Sequence, residues 1–104
     1  MTTADLCAAA ATTLATVEAT AAKLLAARKD PTDFAGEHPE KAFERFAAER
    51  AETRRLLREA NLAAAEESGS TRRLLKSQGI STPETQRISA ALAEIEHRVA
   101  LAWG

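Results

Sequence analysis

Between Ala4 and Ala27 the chain runs for twenty-four residues with only three charged side chains, Asp5, Glu18 and Lys23, while eleven of its residues are Ala and four are Thr. Ala is the strongest helix former, and neither Pro nor Gly interrupts the run, so it reads as one long helix. A surface helix keeps a charged outer face. This one scarcely has one, so any fold that contains it must account for both of its sides. Leu6, Ala10, Val17, Ala21 and Leu24, flanked by Cys7, Leu14 and Leu25, recur at the i, i+3, i+4, i+7 spacing of a core stripe. The opposite side carries Ala8, Thr12, Ala15, Ala19, Ala22 and Ala26. Two readings of that back are open: helix propensity alone, or a second face that buries against a copy of itself or another protein.

Punctuation divides the remainder. Arg28 and Lys29 suit the negative end of the first helix, and Asp30-Pro31 stops it. Asp30, Pro31 and Gly36 bracket a short turn in which Phe34 is the expected anchor to the core. Pro39 at the first helical position and Glu40 beside it open a second helix. Phe43, Phe46, Thr53, Leu57, Ala60 and Ala64 share its apolar face, and the register continues through Ser68 and Thr71 to Leu75. That continuity favours one helix from 39 to 78, weakened or kinked at Gly69. A break at Gly69 would give four shorter helices instead. Gly79 stands where a helix-ending glycine belongs, and Ser81-Thr82-Pro83-Glu84 reads as a capping box pairing Ser81 with Glu84. Ile88, Leu92, Ile95, Val99 and Trp103 form the last stripe. No stretch alternates at the period of a strand.

The expected fold is therefore an all-α, antiparallel bundle of three helices, at about 3–29, 39–78 and 82–103, forming a single domain over residues 1–104. A central helix of that length would reach about 60 Å at 1.5 Å per residue, more than a small monomer can bury. Completion by dimerisation or by a partner is the expectation. The apolar fraction, 45%, is largely Ala, with three Phe, one Trp and no Tyr, and Ala buries little area per residue.

Net charge is −1, so no global field draws nucleic acid or an anionic membrane. The Ala/Thr run is too weakly apolar to span a bilayer or serve as a signal sequence, and the single cysteine, Cys7, fits a reducing compartment. A cytoplasmic protein is expected. Arg50, Arg54 and Arg58 form a ladder one turn apart with no partner on their own helix, whereas Glu52 and Glu59 can both reach Arg55. The ladder reads either as a solvated rim or as the complement of an acidic protein partner. Nucleic acid is the less favoured alternative. It would use Arg72, Arg73 and Lys76, where the segment 68–79 is locally basic, but no interleaved aromatic offers a stacking surface.

Glu94 and His97 stand at the i, i+3 spacing of carboxylate-bridged metal sites in helical bundles. They lie off the apolar stripe, so this is a weak alternative that needs a dimer to complete it. No other metal and no cofactor is implied. Cys7 has no nearby base or cation to activate it and reads as a small core residue. Two His, no Tyr and four scattered Gly leave neither a nucleophile with its base nor a phosphate-binding loop, so no enzyme is expected.

The stretch Leu74-Leu75-Lys76-Ser77-Gln78-Gly79 resembles the segment that follows the phospho-accepting histidine of histidine phosphotransfer domains. Arg73 stands where that histidine would be, which removes phosphoryl transfer from what the resemblance implies. In size and helical layout the chain is also similar to the small export chaperones of flagellar and type III secretion systems. The reading that follows is a non-enzymatic protein–protein interaction module, an adaptor, regulatory or chaperone-like subunit. Its expected contact residues are Ala8, Thr12, Ala15, Ala19, Ala22, Arg50, Arg54 and Arg58.

Overall fold

The computed structural model describes residues 2–29, 39–67 and 81–104. These form three helices and no strand: α1, Thr3–Lys29; α2, Pro39–Glu67; and α3, Pro83–Trp103. The expected turn around Phe34, the Gly69 kink, the continuation of the second helix to 78 and the Gly79 stop all lie outside the described residues. No helix among the described residues is long and apolar enough to cross a membrane.

Each helix begins as its first residues dictate. At α1, Thr2 and Asp5 cap reciprocally: the Asp5 backbone N–H donates to Thr2 Oγ1 at 3.1 Å, and the Thr2 N–H to Asp5 Oδ2 at 3.2 Å. A second carboxylate arrives from the far end of α2, where Glu67 accepts from both the backbone and the hydroxyl of Thr3, at 3.0 and 2.9 Å. Two anions thus sit where unpaired N–H groups concentrate positive charge. At α3 the cap is Thr82, which exchanges hydrogen bonds with Thr85, with Pro83 at the first helical position. This corrects the box expected between Ser81 and Glu84. The frame moves one residue because Glu84 lies against Cys7 of α1, whereas the Thr85 hydroxyl can close the box and also donate to Asn61 Oδ1 at 2.8 Å.

The polar contacts fix the topology. Thr3 meets Glu67, Thr20 meets Glu49 and Thr53 meets Thr13, so α1 and α2 run antiparallel. Thr85 meets Asn61, and Glu96 meets Arg50, so α2 and α3 do likewise. Consequently α3 lies parallel to α1, and the bundle is a rod of 53 × 24 × 18 Å. α1 packs most extensively on α2 and less on α3, while α2 and α3 touch each other least.

The core has two apolar clusters. Leu6, Cys7, Ala10, Leu56, Leu57, Ala60 and Ile88 form one; Val17, Ala21, Leu24, Ala42, Phe46, Leu92 and Val99 form the other. Leu14 packs against both. Between them lies a polar layer. The buried Thr53 hydroxyl is 2.8 Å from Thr13 Oγ1 and 2.9 Å from the Glu49 carbonyl. One turn further, Thr20 donates to the Glu49 carboxylate at 2.7 Å. The α1 stripe is the expected one, extended by Thr20 and Ala27. On α2 the buried set is rotated from expectation, with Ala42 and Leu56 taking full burial while Phe43 and Ala64 are only half-buried. Trp103 closes the far end. Its Nε1–H donates to the Leu24 carbonyl at 2.8 Å, and its ring meets Phe43 edge to face at 5.1 Å.

Ala10 and Ala60 have no exposed surface and set how closely α1 approaches α2. Ala10→Leu is expected to lower unfolding free energy by about 1–3 kcal/mol through overpacking, and Ala15→Leu on the exposed back to change it by less than about 0.5 kcal/mol. Urea titration showing equal effects would contradict this packing. The acidic caps also impose a pH dependence. Hydrogen bonds from Thr2 hold Asp5 below its ordinary value, and those from Thr3 do the same for Glu67. Depressed carboxylates stabilise the fold at pH values above the unfolded value, and that contribution disappears as pH falls through the folded one. Thermal stability is therefore expected to decline on acidification below about 4.5, the ordinary glutamate value. Glu67→Gln should flatten that decline, and an unchanged profile in the variant would exclude the contact.

Candidate partner-binding groove

Since α2 and α3 both lean on α1 and only lightly on each other, the seam between them opens on the side away from α1. Its wider compartment has a volume of about 590 Å³. Leu57 and Thr85 form its floor. Arg54, Arg58 and Asn61 rise from α2; Gln86, Ser89, Ala90 and Ala93 rise from α3, with Ser81 at the mouth. Among the described residues, none of α1 lines it. A narrower compartment of about 430 Å³ follows towards the end of α3, between Phe43, Phe46, Val99, Ala100 and Trp103.

A shared carboxylate divides the two. Glu96 of α3 accepts from Arg50 Nη1 at 3.0 Å through one oxygen, and its other oxygen pairs with Arg54. The Arg50 guanidinium also stacks over the Phe46 ring, 4.7 Å from the centroid. In that position its Nε is buried with no hydrogen-bond partner. The Glu96 contact, partly opposed by burial, holds the Arg54 guanidinium above its already high ordinary value. The arrangement can therefore present positive charge beside an apolar floor, and it places no nucleophile beside a base.

The structure separates the expected contact residues. Ala8, Thr12, Ala15, Ala19 and Ala22 are all exposed on the back of α1. Thr12 donates to the Ala8 carbonyl at 3.0 Å and Thr16 to the Thr12 carbonyl at 3.3 Å, so these hydroxyls are turned onto their own helix and the back is apolar in effect. The Arg ladder lies on the opposite side of the molecule and does not extend that face. The expectation that it lacks a partner on α2 holds, but two of its three members are taken by Glu96 of α3. Arg58 makes no ion pair among the described residues. Arg55 pairs with Glu52 and Glu59 at 2.6 and 2.7 Å.

The alternative sites fare differently. Arg72, Arg73 and Lys76 lie outside the described residues, as does the stretch similar to histidine phosphotransfer domains. Glu94 and His97 are exposed, and Glu94 accepts from Arg98 at 3.1 Å. No group of three or more His, Cys, Asp or Glu converges among the described residues. Cys7 is buried, and burial, with Glu84 alongside, pushes its thiol up from the ordinary range. Sequence reasoning missed Glu96, Asn61, Gln86, Ser89, Ala90 and Ala93. The available signal was the small residues at 89, 90 and 93, which lie off the Ile88, Leu92, Val99 stripe of α3.

No family model matches the chain, and none of the curated proteins or solved structures compared with it is significantly similar.

Two measurements test this geometry. Glu96→Gln is expected to cost about 1 kcal/mol of stability, since the groups are only partly shielded from solvent, and a double-mutant cycle with Arg50→Gln should show a coupling of about 0.5–1 kcal/mol. Strictly additive losses would remove Glu96 as the tie. For Cys7, labelling by a thiol reagent should be slow in the folded protein and fast in denaturant. Rapid labelling of the native state would contradict its burial.

Proposed function

We propose that this chain is a non-enzymatic protein–protein interaction module, an adaptor or chaperone-like helical subunit acting in the cytoplasm. The observation that carries the reading is the open seam between α2 and α3, with an apolar floor and an Arg-lined wall, in a bundle whose third side, α1, is already packed on its inner face. A fourth helix laid in that seam would complete the bundle, which is how helix-in-groove recognition works. The back of α1 offers a second apolar surface of small residues, suited to close approach by another helix or another copy of this chain. Leu62 and Leu101, 50% and 71% exposed, add further uncovered apolar area.

Site-specific photo-crosslinking in the native host tests the module. A photoreactive phenylalanine analogue would replace Ala93 in the groove, Ala15 on the back of α1, and Ala48 on the solvent side of α2; all three positions are exposed. Discrete protein adducts are expected at Ala93 or Ala15 and none at Ala48. The absence of adducts at both Ala93 and Ala15 would overturn the proposal.

A further inference from the structure

We infer that the wider compartment of the α2/α3 groove receives one amphipathic helix of another protein, with a pair of carboxylates on that helix facing Arg54 and Arg58. The inference rests on the reading of the chain as a protein-binding module and names the partner's chemistry. Three properties of the groove argue for it.

The first is shape. From Thr85 to Ala93 the α3 wall runs for about 12 Å at 1.5 Å per residue, enough for about two turns of a helix laid alongside. Ser89, Ala90 and Ala93 keep that wall low, and small side chains allow the short interaxial distances of helix packing. The floor is apolar at Leu57. A guest entering it must satisfy its own backbone hydrogen bonds, which a helix does and an extended peptide does not.

The second property is charge. Among the described residues the compartment is lined by two guanidinium groups and no carboxylate. Glu96 divides its two oxygens between Arg50 and Arg54, so one negative charge answers two positive ones, and Arg58 adds a third with no ion pair among the described residues. Arg54 and Arg58 stand four residues apart, about 6 Å along the axis. Carboxylates at i and i+4 of the incoming helix have the same spacing and would meet both bidentately.

The third property argues against the back of α1 of a second copy of this chain as the guest. Its least charged exposed face is the back of α1, which lies on the opposite side of the molecule from the groove and offers only Glu18 as an acid near its middle. Seating that back in the groove is a head-to-tail contact, which propagates unless rotation closes it. Nucleic acid is also disfavoured, because binding to phosphates relies on many cations around a polar track, whereas this groove has few cations and an apolar floor.

The test uses the full chain carrying the photoreactive residue at Ala93, alone and combined with Arg58→Glu or Arg58→Lys, with the adduct peptide sequenced by mass spectrometry. The expected result is an adduct to a helical segment bearing two acidic residues four apart. Its yield should fall about tenfold in Arg58→Glu, be retained in Arg58→Lys, and recover in Arg58→Glu when the partner's two acids are changed to Lys. Circular dichroism would establish that the exposed Arg58 variants remain folded. Adducts at Ala15 with none at Ala93 would overturn the groove assignment while leaving the module reading intact. An Ala93 adduct to a segment without acids, to this chain, or to nucleic acid would overturn it as well, as would a yield insensitive to Arg58→Glu. No adduct at either position would end both.

Discussion

The close approach of α1 to α2 is the constraint on which the rest of the structure depends. It is made by Ala10, Ala21, Ala42 and Ala60, each with almost no exposed surface. A methyl side chain lets two backbones come together but contributes little buried area, on the order of 25 cal/mol per Å². An interface of this kind is permissive about register, because one Ala resembles the next. The chain supplies register through polar groups that cannot slide without losing partners. Thr53 with Thr13, Thr20 with Glu49, and Thr3 with Glu67 pin three levels of the α1/α2 pair. A shift by one turn would cost Thr53 its contact with Thr13 and leave the buried Thr20 hydroxyl without its interhelical acceptor, a loss of about 1–3 kcal/mol for a buried group left unpaired.

The placement of α3 follows from what α1 still has to cover. Ile88 closes the cluster around Ala10 and Ala60, and Leu92 and Val99 close the one around Val17 and Leu24. Trp103 then fixes the end of α3 to the Leu24 carbonyl and the Phe43 ring. Most of these contacts draw α3 towards α1. Its ties to α2 are fewer: Trp103 on Phe43 at the end, Asn61 with Thr85 at one level, and the two arginines on Glu96 at another. Such ties hold the seam at a set width without filling it.

Much of this was legible in the sequence, because it depends on local rules. Pro39 and Pro83 begin helices at the positions where a missing N–H costs nothing, and the periodic Leu6, Ala10, Val17, Leu24 stripe is the buried one. The misreadings have a common cause. Ser81 and Glu84 have the spacing of a capping box, but so do Thr82 and Thr85, and the choice is made by Cys7 and Asn61 on other helices. On α2 the apolar face could be placed only to within about one side chain, so Leu56 was overlooked and Phe43 overrated. The arginine ladder appeared unpartnered because pairing was sought along α2, while its carboxylate, Glu96, stands on α3 more than forty residues away. The groove itself was invisible, since an open seam is a property of three helices together.

That openness is encoded and is not simply the result of a short chain. Along the buried side of α3 the residues are large, at Ile88, Leu92 and Val99; along the groove wall they are the exposed Ser89, Ala90 and Ala93. Leu at Ala93 would add apolar area to the groove wall at a cost in helix propensity below about 0.5 kcal/mol. Burying such a side chain would have added about 1.5–3 kcal/mol of stability. A chain as poor in large apolar residues as this one would gain most from that exchange, yet the flank is small where filling would have been easiest. The arginines point the same way. Arg55 is neutralised on its own helix by Glu52 and Glu59, but the groove wall is left with more guanidinium than carboxylate. Folding alone requires neither the empty volume nor the uncompensated charge. Both are the features on which the proposed docking of a partner rests.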